Sequence, residues 1–138
     1  MKIMVSACLL GENCKYSGGN NRREQVLAFV EGHEVFPICP EVMGGLPTPR
    51  TPAEIVEGRV FNKDGVNVDK EYRLGAKMAL EIAKRENIDM AILQPRSPSC
   101  GAREIYDGTF SGRKIPGMGI TAALLKENGF RVVDADEL

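Results

Sequence analysis

Short strand-like runs alternate with longer amphipathic ones along this chain, and that alternation restricts the fold more than any other feature. Lys2 to Ala7 (KIMVSA), His33 to Ile38 (HEVFPI), Ile88 to Leu93 and Phe130 to Val133 read as strands. Between them lie helical stretches. Asn21 to Glu31 carries Val26, Leu27, Phe29 and Val30 on its apolar face, and Asp69 to Glu86 repeats Tyr72, Ala76, Ala79 and Ala83 at helical spacing. A third runs from Gly117–Gly119 through Leu125. Asn21 with Glu24 predicts a capping box, Asp69 predicts the cap of the long helix, and Gly32 and Asn128-Gly129 supply stops. Strands separated by helices need crossover connections, so the expected class is α/β: a single-domain, open, mostly parallel sheet with helices on both faces. Pro37 lacks a backbone donor and puts its strand at an edge or at its end. Asp64-Gly65 predicts a small hairpin over Gly58 to Asn67, and CPEVMGGLPTPRTP reads as a loop.

The chain's size and charge narrow the function classes. Its 138 residues suit one domain with a proper core. With 43% hydrophobic and 27% charged residues and no run of about twenty apolar ones, neither wholesale disorder nor a membrane-spanning helix is expected. A net charge of -1 gives no strong nucleic-acid signal. MKIMVSACLLGENC lacks the apolar core of a signal peptide and reads as a strand, so a cytoplasmic chain with reduced thiols is expected.

In that setting the four cysteines point to chemistry rather than to a disulfide framework. Cys8 follows the first strand, Cys39 the second, and Cys100 lies past the strand ending near Leu93. Ligands of open parallel sheets collect outside the C-terminal strand ends, so three distant thiols can converge there. Paired zinc-ribbon spacing is absent and the one histidine, His33, sits at a strand start away from the cysteine loops. Thiolates are the standard partners of iron–sulfur clusters, and three of them on a four-iron cluster leave one iron open. Three classes stay open on the residues alone: a cluster or metal enzyme, a non-enzymatic metal-binding or sulfur-carrying module, and a cysteine-based redox enzyme using Cys8 with Cys14. Single cysteines also serve as small buried hydrophobes.

The motifs SACLLGENCKYSGG, CPEVMGGLPTPRTPAE, LQPRSPSCG, IYDGTFSG and GMGITAALL, in that order, resemble those of the domain of unknown function 523 family over nearly the whole chain. The resemblance implies a thiouracil or thiouridine desulfidase with a 4Fe-4S cluster on three cysteines, here Cys8, Cys39 and Cys100. Its substrate would be a thiolated pyrimidine base, nucleoside or nucleotide. Cys14 falls outside that ligand set and is expected to pair with Cys8 on oxidation or to pack inertly.

Desulfuration by water needs a base and a proton donor. Glu41, two residues past Cys39, takes that role under the resemblance, and Ser99 beside Cys100 would hydrogen-bond substrate or relay a proton. Taken alone, Glu41 reads equally as a solvated carboxylate and Ser99 as a turn residue. Several loop residues could hold substrate: Lys15 and Tyr16 with the glycines of YSGG as an anion nest, Gly117 to Gly119 through free helix amides, and Arg50 and Arg103 as forks onto phosphate or base oxygens. Tyr106 and Phe110 could stack on a pyrimidine or belong to the core.

Overall fold

The computed structural model describes Met1–Leu138. Four parallel strands form the main sheet: β1 (Lys2–Ser6), β2 (Glu34–Ile38), β5 (Met90–Leu93) and β8 (Val132–Asp134), in the order β2-β1-β5-β8. Every residue of β5 is buried, as is all of β1 after Lys2, because these central strands are covered on both faces. Side chains alternate accordingly. Ile3, Val5, Met90, Ile92 and Val133 face α1 (Glu24–Val30) through Val26 and Val30, while Met4, Ala91 and Leu93 face α3 (Asp69–Glu86) and α4 (Ile120–Glu127) through Ala79, Ala83, Ala122 and Leu125. The expected open parallel sheet with helices on both faces is the one observed. Pro37 lies in edge strand β2 opposite Val5, where its missing N–H interrupts no second ladder.

Several local expectations are corrected. Asn21 does not cap α1: that helix begins at Glu24 after Arg23 with no side-chain cap, because Asn21 is tied by its N–H to the Cys8 carbonyl oxygen at 2.9 Å. Asp69 is not the cap of α3 but its first residue. The Asn67 Oδ1 accepts the Asp69 N–H, while Asp69 accepts from the Val60 N–H and from Arg73. The hairpin lies earlier than Asp64-Gly65 suggested. It joins β3 (Ala53–Val56) to β4 (Arg59–Asn62) through Glu57 and Gly58, both at positive φ (50° and 79°), the geometry that follows strand twist. The Asp64-Gly65 turn comes after β4, where Asn62 Oδ1 accepts two backbone N–H groups and returns Asn67 to bridge Phe61.

Further elements are additional. A 3-10 turn (Ala7–Leu10) holds Cys8, α2 (Pro40–Met43) opens the segment expected as loop, and β6 (Glu104–Tyr106) pairs antiparallel with β7 (Lys114–Pro116). Proline at the first position of α2 loses no hydrogen bond there, since first-turn amides lack intrahelical acceptors. The longest helix, α3, buries Tyr72, Gly75, Ala76, Ala79 and Ala83 in one stripe. The glycine and alanines of this stripe let α2 and α4 approach it closely.

Candidate active site

Beyond the C-terminal ends of β1, β2 and β5 lies a cavity of about 490 Å³. It is lined by all four cysteines together with Glu41, Arg50, Tyr72 and Gln94. The parallel sheet delivers the thiols. Cys8 sits in the 3-10 turn after β1, Cys39 at the start of α2 after β2, and Cys100 in the loop after β5. All four cysteines are free, and Cys8 and Cys100 are 8% and 5% exposed.

Hydrogen bonds fix each thiol. The Asn21 side chain bonds to Cys8, whose thiol burial nevertheless raises above the ordinary range, with the nearby Cys39 and Glu41 charges adding to the rise. Burial pushes Cys100 up to about 12 despite a hydrogen bond from Ser6. The Cys100 loop is braced by Ser97, whose Oγ accepts the N–H groups of Ser99 and Cys100, each at 3.0 Å. Cys39 behaves differently. Its neutral thiol donates to the Cys14 carbonyl oxygen at 3.6 Å, and as a thiolate it accepts from the Cys14 thiol, which lowers it to about 7. The same hydrogen bond raises Cys14. Cys14 therefore contacts Cys39 and also packs against the core cluster that contains Cys8.

Glu41 lies in the first turn of α2 and is held from two sides. Arg50 Nε donates to its Oε1 at 3.0 Å and the Tyr72 hydroxyl donates to the same oxygen at 2.7 Å. Oε2 accepts from no protein group, and Glu41 lines the cavity with its side chain 16% exposed. Tyr72 titrates above its ordinary range, first through burial and then through the Glu41 charge, so its hydroxyl remains a donor. For Arg50 burial works against the charge, but Glu41 outweighs it and the guanidinium is held more firmly than usual.

Arg50 was expected to fork onto substrate; its donors are instead committed to the protein. Besides Glu41 it donates to the carbonyl oxygens of Pro47 and Cys14 (3.2 and 2.8 Å) and to Thr48 Oγ1 (3.1 Å). Ser99 also departs from expectation: its side chain is fully enclosed and its Oγ shares a 2.9 Å hydrogen bond with Thr121, away from the cavity lining. The amides around Gly117 and Gly119 are not free for a phosphate. Gly117 N–H donates to Arg103, Gly119 N–H to Gly101, and the first amides of α4 to Pro98 and Ser99. A Cβ on Gly119 would lie 2.5 Å from the Ser99 carbonyl, so this contact packs α4 against the Cys100 loop. Arg103 lies outside the cavity, 3.7 Å from Asp134 and 3.8 Å from Glu137. The Lys15 and Gly18 amides are spent inside their own turn, and Lys15 and the exposed Tyr16 line the cavity. Tyr106 and Phe110 line it too.

Tyr72 and Gln94 are among the lining residues that escaped the sequence reading. Tyr72 belongs to a helical apolar stripe and reads as core, so only the fold reveals its bond to Glu41. Gln94 immediately follows strand β5, and the strand-end rule that selected Cys100 would have included it.

The 2-thiouracil desulfurase family model matches residues 3–137. The uncharacterized protein YbbK of Bacillus subtilis (strain 168) is 42% identical over 146 residues of alignment, which cover 99% of this chain and 97% of that protein. A solved structure described as the 4Fe-4S-dependent thiouracil desulfidase TudS is similar with a TM-score of 0.93 at 41% identity, over 99% of this chain and 92% of that one. Matched in sequence and in fold over almost its whole length, the chain belongs to the 2-thiouracil desulfurase family.

Proposed function

We propose that this protein removes sulfur from a thiolated pyrimidine, thiouracil or thiouridine, to give the oxo compound and sulfide, using a 4Fe-4S cluster held by Cys8, Cys39 and Cys100. One observation carries the proposal: thiols from three parallel strand ends share a cavity with a carboxylate fixed through one oxygen.

The donor set fits such a cluster. No three His, Cys, Asp or Glu side chains converge at the spacing of a single metal ion, whereas a cluster takes each thiolate on a different iron. Burial drives the Cys8 and Cys100 thiols toward their neutral forms, and a cationic metal core reverses that preference by stabilising thiolate. When bound, the cluster supplies a Lewis-acidic iron, free of a protein ligand, to polarise the thiocarbonyl.

The remaining steps belong to the chain's own groups. Glu41 Oε2 takes a proton from the water that attacks the ring carbon and returns it to the departing sulfur or a ring nitrogen. Arg50 and Tyr72 hold Oε1, so the carboxylate presents one oxygen in one orientation. Tyr106 and Phe110 offer faces for the pyrimidine, and Lys15 offers a cation at the cavity lining. We place the reaction in the cytoplasm, where thiols stay reduced. No helix is long and apolar enough to cross a membrane.

Iron and acid-labile sulfide on anaerobically reconstituted protein, followed by conversion of thiouracil to uracil, test the proposal. About four of each per chain are expected, lost on replacement of Cys8, Cys39 or Cys100. Glu41→Gln should keep the cluster and lose about 100-fold or more in turnover. A colourless protein that cannot be reconstituted sinks the proposal. A loaded protein indifferent to Glu41→Gln points to a sulfur-carrying module.

A further inference from the structure

Three buried side-chain polar atoms lack a hydrogen-bond partner: Glu71 Oε2, Asp134 Oδ2 and Gln94 Oε1. Of their residues only Gln94 lines the cavity. A buried polar group without a partner disfavours the folded state, and such groups in native proteins usually await a ligand or water. Several other polar residues that line the cavity are already engaged. Arg50 and Tyr72 both donate to Glu41, Ser97 binds its loop amides, and the Asn21 N–H donates to the Cys8 carbonyl oxygen. No hydrogen bond involves the Gln94 carboxamide. Its main chain is nonetheless fixed, because the Gln94 N–H donates to Ser6 Oγ at 3.0 Å. Ser6 lines the same cavity as Cys100, so the Gln94 main chain is anchored at the cavity wall.

A carboxamide offers one acceptor and two donors, the pattern that pairs with two adjacent groups on a base edge. In 2-thiouracil the sulfur lies on C2, and the opposite side of N3 carries the C4 carbonyl. We propose that Gln94 reads this edge, its oxygen accepting the N3–H and its NH2 donating to the C4 oxygen, and so selects the pyrimidine and sets its orientation. This specificity role rests on the desulfidase reading.

Methylated substrates test it on the reconstituted holoprotein. On the wild type, 1-methyl-2-thiouracil should behave like the parent, while 3-methyl-2-thiouracil, lacking the N3–H, should lose about 10- to 100-fold in kcat/KM. Gln94→Leu should cost a similar factor on the parent and the 1-methyl compound but little more on the 3-methyl one, with iron content unchanged. Calorimetric binding of uracil, 1-methyluracil and 3-methyluracil should follow the same order without any turnover. Gln94→Met removes both the acceptor and the donor at similar side-chain length, and carries the same comparison if Gln94→Leu loses iron. Equal losses on all three compounds, or equal wild-type preference for the two methylated ones, overturn the assignment. A wild type that holds the cluster but does not convert thiouracil sinks the desulfidase reading, and this inference with it. A wild type that converts it while Gln94→Leu matches it overturns this inference alone.

Discussion

Gly75→Ala is the sharpest test of what holds the site together. Gly75 lies in α3 against the start of α2, and a Cβ there would stand 1.7 Å from the Pro40 carbonyl oxygen and 2.6 Å from its carbon. At the far end of α2, a Cβ on Gly44 would stand 1.9 Å from the Glu71 carbonyl oxygen. Neither glycine has a positive φ, so the backbone accepts alanine at both and the obstacle is space alone. The obstructing atoms are main chain, so no rotamer change relieves the contact and the helices must part by roughly 1 Å or more. Alanine favours a helix over glycine by about 1 kcal/mol, while overpacking costs about 1–3 kcal/mol, with a main-chain obstruction at the upper end. The net loss is about 1–2 kcal/mol, or roughly 3–8 °C in Tm for a chain of this size. The chemistry suffers more, because Cys39 and Glu41 ride on α2 and a displacement of about 1 Å can cost about 100-fold in turnover. Thermal melts of the cluster-free protein, then iron content and thiouracil conversion after reconstitution, measure all three effects. Unchanged Tm, iron and turnover would refute the reasoning. A lower Tm with iron and turnover intact would show that α3 does not set the position of α2.

Three further outcomes are expected. Cys14→Ser should leave iron and sulfide content at the wild-type level, in contrast to serine at Cys8, Cys39 or Cys100; iron loss would make Cys14 a ligand. Tyr72→Phe removes a buried hydroxyl from an ionised carboxylate and should lower stability by about 1–3 kcal/mol by urea unfolding, with turnover down about 10-fold and iron unchanged. Asp136 accepts from Arg23 and Arg96, and these bonds, Arg23 first, hold its carboxyl below its ordinary 3.8. A depressed carboxyl contributes stability that is complete above its unfolded value and is lost as pH falls through the folded one. Asp136→Asn should therefore be less stable than wild type at pH 7, with the gap closing as pH falls below 3.8 in acid-unfolding curves.

The sheet was legible because central strands covered on both faces become apolar runs, and Lys2–Ser6 and Met90–Leu93 carry that mark plainly. The thiol placements followed from the same reading, since three strand ends on one edge of a parallel sheet must face one crevice. What escaped was set by contacts distant in sequence. Asn21 and Asp69 have cap-forming side chains, yet Asn21 is recruited by Cys8 and Asp69 by Val60 and Arg73, and neither partner shows in a local window. The β6–β7 hairpin has strands of three residues each, too short for any alternation to register. Arg50 looked like a substrate fork because its charge is visible and its four acceptors are not. Ser99 gave the same false signal beside Cys100, since its partner Thr121 arrives from the next helix.

Helix α2 is only four residues long, too short to be stable by itself, yet it joins the two halves of the proposed chemistry. Cys39 stands at its start and Glu41 in its first turn, so the spacing between cluster ligand and base is fixed by local backbone. Its stability must come from outside: Gly44 and Gly75 seat it on α3, Tyr72 reaches from α3 to Glu41, and Arg50 joins Glu41 to the Cys14 loop. The same few contacts therefore position the proposed cluster ligand and the proposed proton-transfer group together. Damage to α2 should lower cluster retention and turnover in step, whereas damage to Oε2 of Glu41 alone should separate them. That separation distinguishes loss of a catalytic group from loss of the scaffold that holds it.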